Sequence, residues 1–132
     1  MRYMLDSNIC IYTIKRKPQK VLLKLNECRQ DGLAISAITL AELEHGVSGS
    51  EHQEKNRDAL IQFLSIVDIL PFDSSAAFEY GKIHASLQKK GKLIGPLDML
   101  IAGHAISMGL IVVTNNVREL GRVDGLAVED WT

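Results

Sequence analysis

Along this chain short apolar runs alternate with stretches in which apolar residues recur every three or four positions, the pattern of buried strands followed by amphipathic helices. Tyr3–Leu5 is the first apolar run and stops at Asp6, and Ser7 or Asn8 can cap a helix running through Ile9, Ile11, Tyr12 and Ile14. Pro18 suits the first turn of a second helix bearing Val21, Leu22, Leu25 and Cys28, which Asp31-Gly32 breaks. Leu33–Ser36 is the next apolar run. After it Thr39 is positioned to cap a helix that sends Leu40, Leu43 and Val47 inward and places Glu42 in its first turn.

The polar stretch Gly46–Asn56 reads as a connection into a helix with Leu60, Ile61 and Leu64, and Val67–Leu70 as a third strand ended by Pro71. Ser74 or Ser75 opens an Ala-rich helix through Ala76, Ala77, Tyr80, Ile83 and Leu87, closing in the basic turn Lys89-Lys90-Gly91. Gly95-Pro96 starts a helix over Leu97–Met108, with Leu97, Leu100, Ile101, Ala105 and Met108 as its inner side and Gly109 as its stop. Leu110–Val113 is apolar throughout, as a strand covered by helices on both faces should be, and is expected at the sheet centre. Leu126–Val128 is a shorter last strand before Trp131.

Four or five strands alternating with helices imply an α/β fold, a three-layer sandwich with a central, mostly parallel sheet and right-handed crossovers. With 132 residues, 46% of them apolar, the chain is expected to form one domain over 1–132 with one core. A formal net charge of −1 excludes a globally basic protein that coats nucleic acid, so any RNA contact has to be local. Cys10 and Cys28 lack CxxC spacing and a partner His set, and read as buried free thiols in a reducing compartment. The early charge at Asp6 and the absence of a long apolar run argue against a signal peptide and a membrane span, and the expected location is the cytoplasm.

In parallel sheets ligands bind beyond the carboxyl ends of the strands. That edge is expected to gather Asp6 after strand one, Ser36 and then Glu42 after strand two, and Thr114 to Asn116 after strand four. Asp98, in the first turn of the helix preceding strand four, faces the same edge if that helix packs antiparallel to its strand. Converging carboxylates raise one another's pKa unless a cation separates them, and all-oxygen donors favour a hard ion, Mg²⁺ or Mn²⁺. Such a site activates water and stabilises charge on a phosphodiester. Each acid also has a plainer role open to it, as a helix cap or a first-turn residue favoured by the helix dipole.

The segments Met4-Leu5-Asp6-Ser7-Asn8, Ile38-Thr39-Leu40-Ala41-Glu42-Leu43, Gly95-Pro96-Leu97-Asp98-Met99-Leu100-Ile101-Ala102 and Val113-Thr114-Asn115-Asn116 stand in that order. Together they resemble the PIN-domain family, and most closely its VapC toxins of bacterial toxin-antitoxin pairs, over essentially the whole chain. The resemblance implies a Mg²⁺-dependent endoribonuclease, with Mn²⁺ able to substitute, that inhibits translation by cutting RNA, tRNA foremost. It also implies a VapB-like antitoxin that pushes a C-terminal segment into the active-site groove, a homodimer, and promoter DNA bound through the antitoxin complex. Carried over by position, Asp6, Glu42 and Asp98 match the family's metal-binding acids, with Glu42 coordinating or orienting water. By the same match Asn8 holds Asp6 through a hydrogen bond, and Ser7 caps the first helix. The sequence departs from the pattern at Asn116, where many members carry Asp. Its carbonyl is expected to reach metal-bound water, while Glu119 either substitutes for the missing acid or caps the short turn before Leu120.

Two basic stretches, Lys15-Arg16-Lys17 with Lys20 and Lys24, and Lys89-Lys90 with Lys92, are either solvated helix ends or local positive surface for RNA; one is expected to flank the groove. His45, His52, His84 and His104 show no metal-ligand pairing and read as structural or exposed. A receiver-like phosphoacceptor needs paired acids after strand one and an Asp after strand three, whereas here Ser7-Asn8 and Pro71-Phe72-Asp73 occupy those places. Asn8 also stands where a haloacid-dehalogenase phosphatase wants its second Asp. A catalytically silent binding module on the same fold is the remaining alternative, separable by a metal-dependence assay.

Overall fold

The computed structural model describes residues 2–132. Its five strands, β1 (Tyr3–Leu5), β2 (Leu33–Ser36), β3 (Asp68–Leu70), β4 (Ile111–Val113) and β5 (Val128–Glu129), form one sheet in the order β3-β2-β1-β4-β5. Every pairing is parallel, with Met4 opposite both Ala34 and Val112. The helices are α1 (Ser7–Lys15), α2 (Gln19–Cys28), α3 (Ala37–Ser48), α4 (Gln53–Leu64), α5 (Ser74–Lys89), α6 (Pro96–Met108) and α7 (Val117–Leu120). The α/β sandwich expected from the alternation is what forms. The centre of the sheet is β1, however, and β4 lies beside it. Both strands are apolar enough for that place, and only the pairing order distinguishes them.

Alternation along each strand divides the core into two layers. Tyr3 and Leu5, with Leu33, Ile35 and Val113, meet Ile9, Val21, Leu25, Leu43, Leu60 and Phe63 from α1 to α4. Met4, Ala34 and Val112 face the opposite way, onto Ile83, Leu87, Met99, Ile101, Ala102 and Ala105 from α5 and α6. Gly103 is buried where these two helices touch: a Cβ there would lie 2.7 Å from the Tyr80 backbone nitrogen. The close approach explains why α6 is inside over nearly its whole middle, and why Leu97 and Met108, expected to point inward, are 44% and 47% exposed at its ends.

Helix starts are where pattern reading was least accurate. α1 is capped by Asp6 rather than Ser7 or Asn8: the Asp6 carboxylate accepts the Ile9 N–H at 3.0 Å. α3 is capped by Ser36, whose hydroxyl accepts the Ile38 N–H at 3.1 Å, so Thr39 is inside the helix and Glu42 falls in its second turn. α5 begins at Ser74, with Asp73 as its cap. The connection between α3 and α4 is shorter than Gly46–Asn56, because both helices extend into it, and the last strand is Val128–Glu129 rather than Leu126–Val128. Gly109, at φ 67°, ends α6 as expected, the left-handed turn being one glycine adopts without steric cost. Cys10 and Cys28 are buried free thiols.

Candidate active site

From β1 the chain continues to β2 and β3 on one side, and β4 and β5 extend the sheet on the other. The order therefore reverses between β1 and β4, which opens a crevice beyond their carboxyl ends. Asp6 is the first residue past β1. Its N–H donates to the Val113 carbonyl at 3.0 Å, fixing the turn against β4. Its carboxylate, only 6% exposed, caps α1. Thr114 is the first residue past β4 and is fully buried; its hydroxyl accepts the Asn116 N–H at 2.8 Å and hydrogen-bonds Asp6.

Two helices bring further acids to this crevice. Glu42 comes in on α3, and the Ser7 hydroxyl donates to its Oε1 at 2.5 Å. Asp98 sits in the first turn of α6, with the half-buried Asn116 amide nitrogen donating to its Oδ2 at 3.1 Å and to Glu119 Oε2 at 3.1 Å. Asp6, Glu42, Asp98, Asn116, Glu119, Ser7 and Thr114 thus meet in one place, although they span most of the chain. Three expected contacts are different. Asn8 does not hold Asp6; its amide donates to Asn115 Oδ1 at 3.3 Å, and Asn115 in turn donates to the Tyr12 hydroxyl at 3.0 Å. Asn116 presents its amide nitrogen, not its carbonyl, to the acids. Glu119 reaches Asn116's side chain rather than capping α7, which has no side-chain cap.

Burial is the main reason that both Asp6 and Asp98 hold their protons more tightly than an ordinary carboxyl does. Thr114 and the Ile9 N–H oppose this at Asp6, while the Asp98 and Glu42 charges reinforce it. At Asp98 the Asn116 amide opposes it, and the Glu119 and Glu42 charges reinforce it. The crevice therefore concentrates negative charge with too few donors to neutralise it.

Among the described residues, no three acidic, His or Cys side chains are arranged to hold a metal ion as they stand. The Ser7 hydroxyl occupies one face of Glu42, and the Asn116 amide stands between Asp98 and Glu119. The donors are nevertheless all oxygen and their charges repel, a combination that suits a hard divalent cation.

Beside Glu42, a groove of about 340 Å³ is lined by Ile11, Ile14, Leu43, Val47 and Leu60, with Lys15 on its rim. Of the first basic stretch, Lys15 lines this groove, whereas Lys20 and Lys24 lie beside Asp130 and Trp131. In the second, Lys90 is paired with Asp124 at 2.9 Å. What the sequence did not show is the partner of Ser36, which is fully buried at the end of β2 and hydrogen-bonded across the fold to His104 at 2.8 Å. A serine ahead of a helical run signals a cap, but nothing in its spacing points to a partner 68 positions away.

The class of protein defined by this sheet and crevice has a name. A family model described as the PIN domain matches residues 3–126, and the chain belongs to that family. Within it, the tRNA(fMet)-specific endonuclease VapC of Shigella flexneri is 47% identical over 132 residues, covering 100% of this chain and 99% of that protein. The tRNA(fMet)-specific endonuclease VapC of Salmonella typhimurium is 44% identical over 131 residues, 99% of this chain and 98% of its own length. Among solved structures, that of VapBC2 from Rickettsia felis bound to a DNA fragment from their promoter superposes with a TM-score of 0.95 at 41% identity, covering 100% of both chains.

Proposed function

We propose that this chain is the toxin of a VapBC-type pair, a metal-dependent endoribonuclease that hydrolyses tRNA phosphodiester bonds and so inhibits translation in the cytoplasm. The observation that carries this reading is the set of mutually repelling carboxylates at the β1/β4 crevice, Asp6 buried and Glu42 and Asp98 partly so. It occurs in a chain that matches a tRNA(fMet)-specific endonuclease from end to end. Initiator tRNA is the substrate proposed first. No described helix is long and apolar enough to cross a membrane, which suits a partner of cytoplasmic RNA.

In the proposed mechanism Asp6 and Asp98 would hold Mg²⁺, or Mn²⁺ in its place, and Glu42 would either join them or orient the attacking water. The ion supplies Lewis acidity and charge neutralisation at the scissile phosphate. Thr114 and the Ile9 N–H fix the Asp6 carboxylate, and Ser7 steers Glu42. Asn116, with two carboxylates on its amide, sets the separation of Asp98 and Glu119. Lys15 provides positive surface for the RNA backbone beside these acids. The apolar groove next to Glu42 is proposed to take the C-terminal segment of a VapB-like antitoxin, which would exclude RNA. A homodimer over residues 1–132, binding promoter DNA only together with the antitoxin, completes the proposal. It is supported by the VapBC complex with promoter DNA whose fold this chain shares.

The test is incubation of the purified chain with initiator and elongator tRNAs in Mg²⁺, in Mn²⁺ and in EDTA. Cleavage that needs the ion and disappears in Asp98→Asn is the expected result. Equal cleavage in EDTA, or by the variant, rejects the assignment. Co-expression with the product of an adjacent small reading frame should restore growth.

A further inference from the structure

The core contains a polar cluster that the proposed chemistry does not use. Ser36 Oγ and His104 Nδ1 lie 2.8 Å apart, the serine fully buried and the histidine 1% exposed. The Phe72 ring meets the imidazole edge-on at 5.3 Å. His104 Nε2 is buried with no hydrogen-bond partner at ordinary distance among the described residues, the Pro71 carbonyl being the backbone group that acts on the imidazole. Burying polar groups with incomplete partners is costly, and an apolar pair would fill the space more favourably. A cluster kept at such cost has to supply geometry rather than cohesion.

Its position shows which geometry. Ser36 starts α3, and Glu42 lies six residues after it; His104 lies on α6, six residues after Asp98. Each carboxylate is thus about 9 Å of helix from the same hydrogen bond. The two helices touch, and the Glu42 charge is felt at Asp98. We infer that the Ser36–His104 hydrogen bond is a positioning tie that sets the separation of Glu42 and Asp98, and with it the spacing of donors that a divalent cation requires. Reacting groups tolerate little displacement: an error of about 1 Å can lower a rate on the order of 100-fold.

The inference rests on the proposed ribonuclease reading, so its test pairs activity with direct Mn²⁺ affinity, measured by electron paramagnetic resonance on the intact chain. His104→Leu, which keeps volume and removes the bond, is expected to weaken Mn²⁺ binding about tenfold. It should lower kcat for tRNA cleavage about 10- to 100-fold, leave KM within about twofold, and melt no earlier than wild type. His104→Asn, whose amide takes the place of Nδ1, should recover most of both losses. The double variant Ser36→Ala/His104→Leu should be no worse than the poorer single one, since both remove the same bond. Wild-type affinity or wild-type kcat in folded His104→Leu overturns the inference, as do losses that multiply in the double variant. If His104→Leu does not fold, Ser36→Ala against the hydroxyl-retaining Ser36→Thr makes the same comparison. A wild-type chain that binds Mn²⁺ but cuts no RNA overturns the proposed function and leaves affinity to judge the tie; one that binds no Mn²⁺ overturns both.

Discussion

The carboxyl edge of the sheet and the α5–α6 layer are packed on opposite principles. At the edge, Asp6 and Asp98 are withdrawn from water and set within reach of other carboxylates, so that local free energy is raised where chemistry is proposed. Under the sheet, Gly103 lets α6 approach α5 until no Cβ fits between them, and apolar surface is buried to the limit that sterics permit. One region gives up stability for an arrangement of charge. The other supplies the rigidity that keeps that arrangement in place.

The sharpest way to break this comparison is to remove a charge from the edge. Asp98→Asn should lower tRNA cleavage on the order of 10³-fold or more, because several kcal/mol of transition-state stabilisation are withdrawn, with the fold intact by circular dichroism. Comparable activity would show that the edge is not the site. The opposite experiment fills the close contact. Gly103→Ala should cost about 1–3 kcal/mol in urea denaturation, as overpacking does, while activity per folded molecule stays near wild type. A neutral Gly103→Ala would mean that α5 yields more easily than the geometry implies.

A third substitution tests whether the edge is destabilised. Asp6 binds its proton more tightly folded than unfolded. Its contribution is therefore fully present below the unfolded-state value and is lost as pH rises through the folded one. Asn keeps the cap on α1 without the charge. Asp6→Asn in EDTA should accordingly be more stable than wild type at pH 7, by about 0.5–2 kcal/mol, with the gap closing toward pH 3 and narrowing again when Mg²⁺ is added. A wild-type advantage at pH 7 in EDTA would contradict the repulsion.

The smallest effect belongs to His104, whose proton affinity is lowered mainly by burial, with Asp73 and the Pro71 carbonyl opposing. Its neutral form suits the fold. The stability it contributes is present above its unfolded-state value near 6.5 and is lost as pH falls from there through the lower folded value. Thermal melts of wild type from pH 7 to pH 5 should show this decline, and His104→Asn should flatten it. Parallel curves would place the imidazole outside the titrating set.

Much of this molecule was legible in the order of its residues. Period changes located the strands and helices because burial imposes a period of two or of about 3.6 whatever the partner. The acids Asp6 and Asp98 stood out because they follow or precede apolar runs whose ends a parallel sheet brings to one edge. The errors share a different cause. Ser36 and Thr39 are equally able to cap α3, and which one does so depends on where the backbone turns. Leu97 and Met108 read as core until the tight α5–α6 contact reduced the inner face of α6 to its middle. Asn8, Asn116 and Glu119 were assigned partners by analogy, and side-chain hydrogen bonds follow distances that spacing in a chain does not encode.

By itself, then, the sequence determined the alternation of elements, the α/β class, and the chemical kind of site available, since residue type and hydrophobic period are local properties. Only the tertiary structure decided that β1 lies at the centre with the crevice beside β4. The same holds for the Ser7 contact with Glu42, Asn116 lying between two carboxylates, and Ser36 meeting His104 across 68 residues. Those are relations between distant segments, and they exist only once the packing of the whole core has fixed where each helix begins and which way it points.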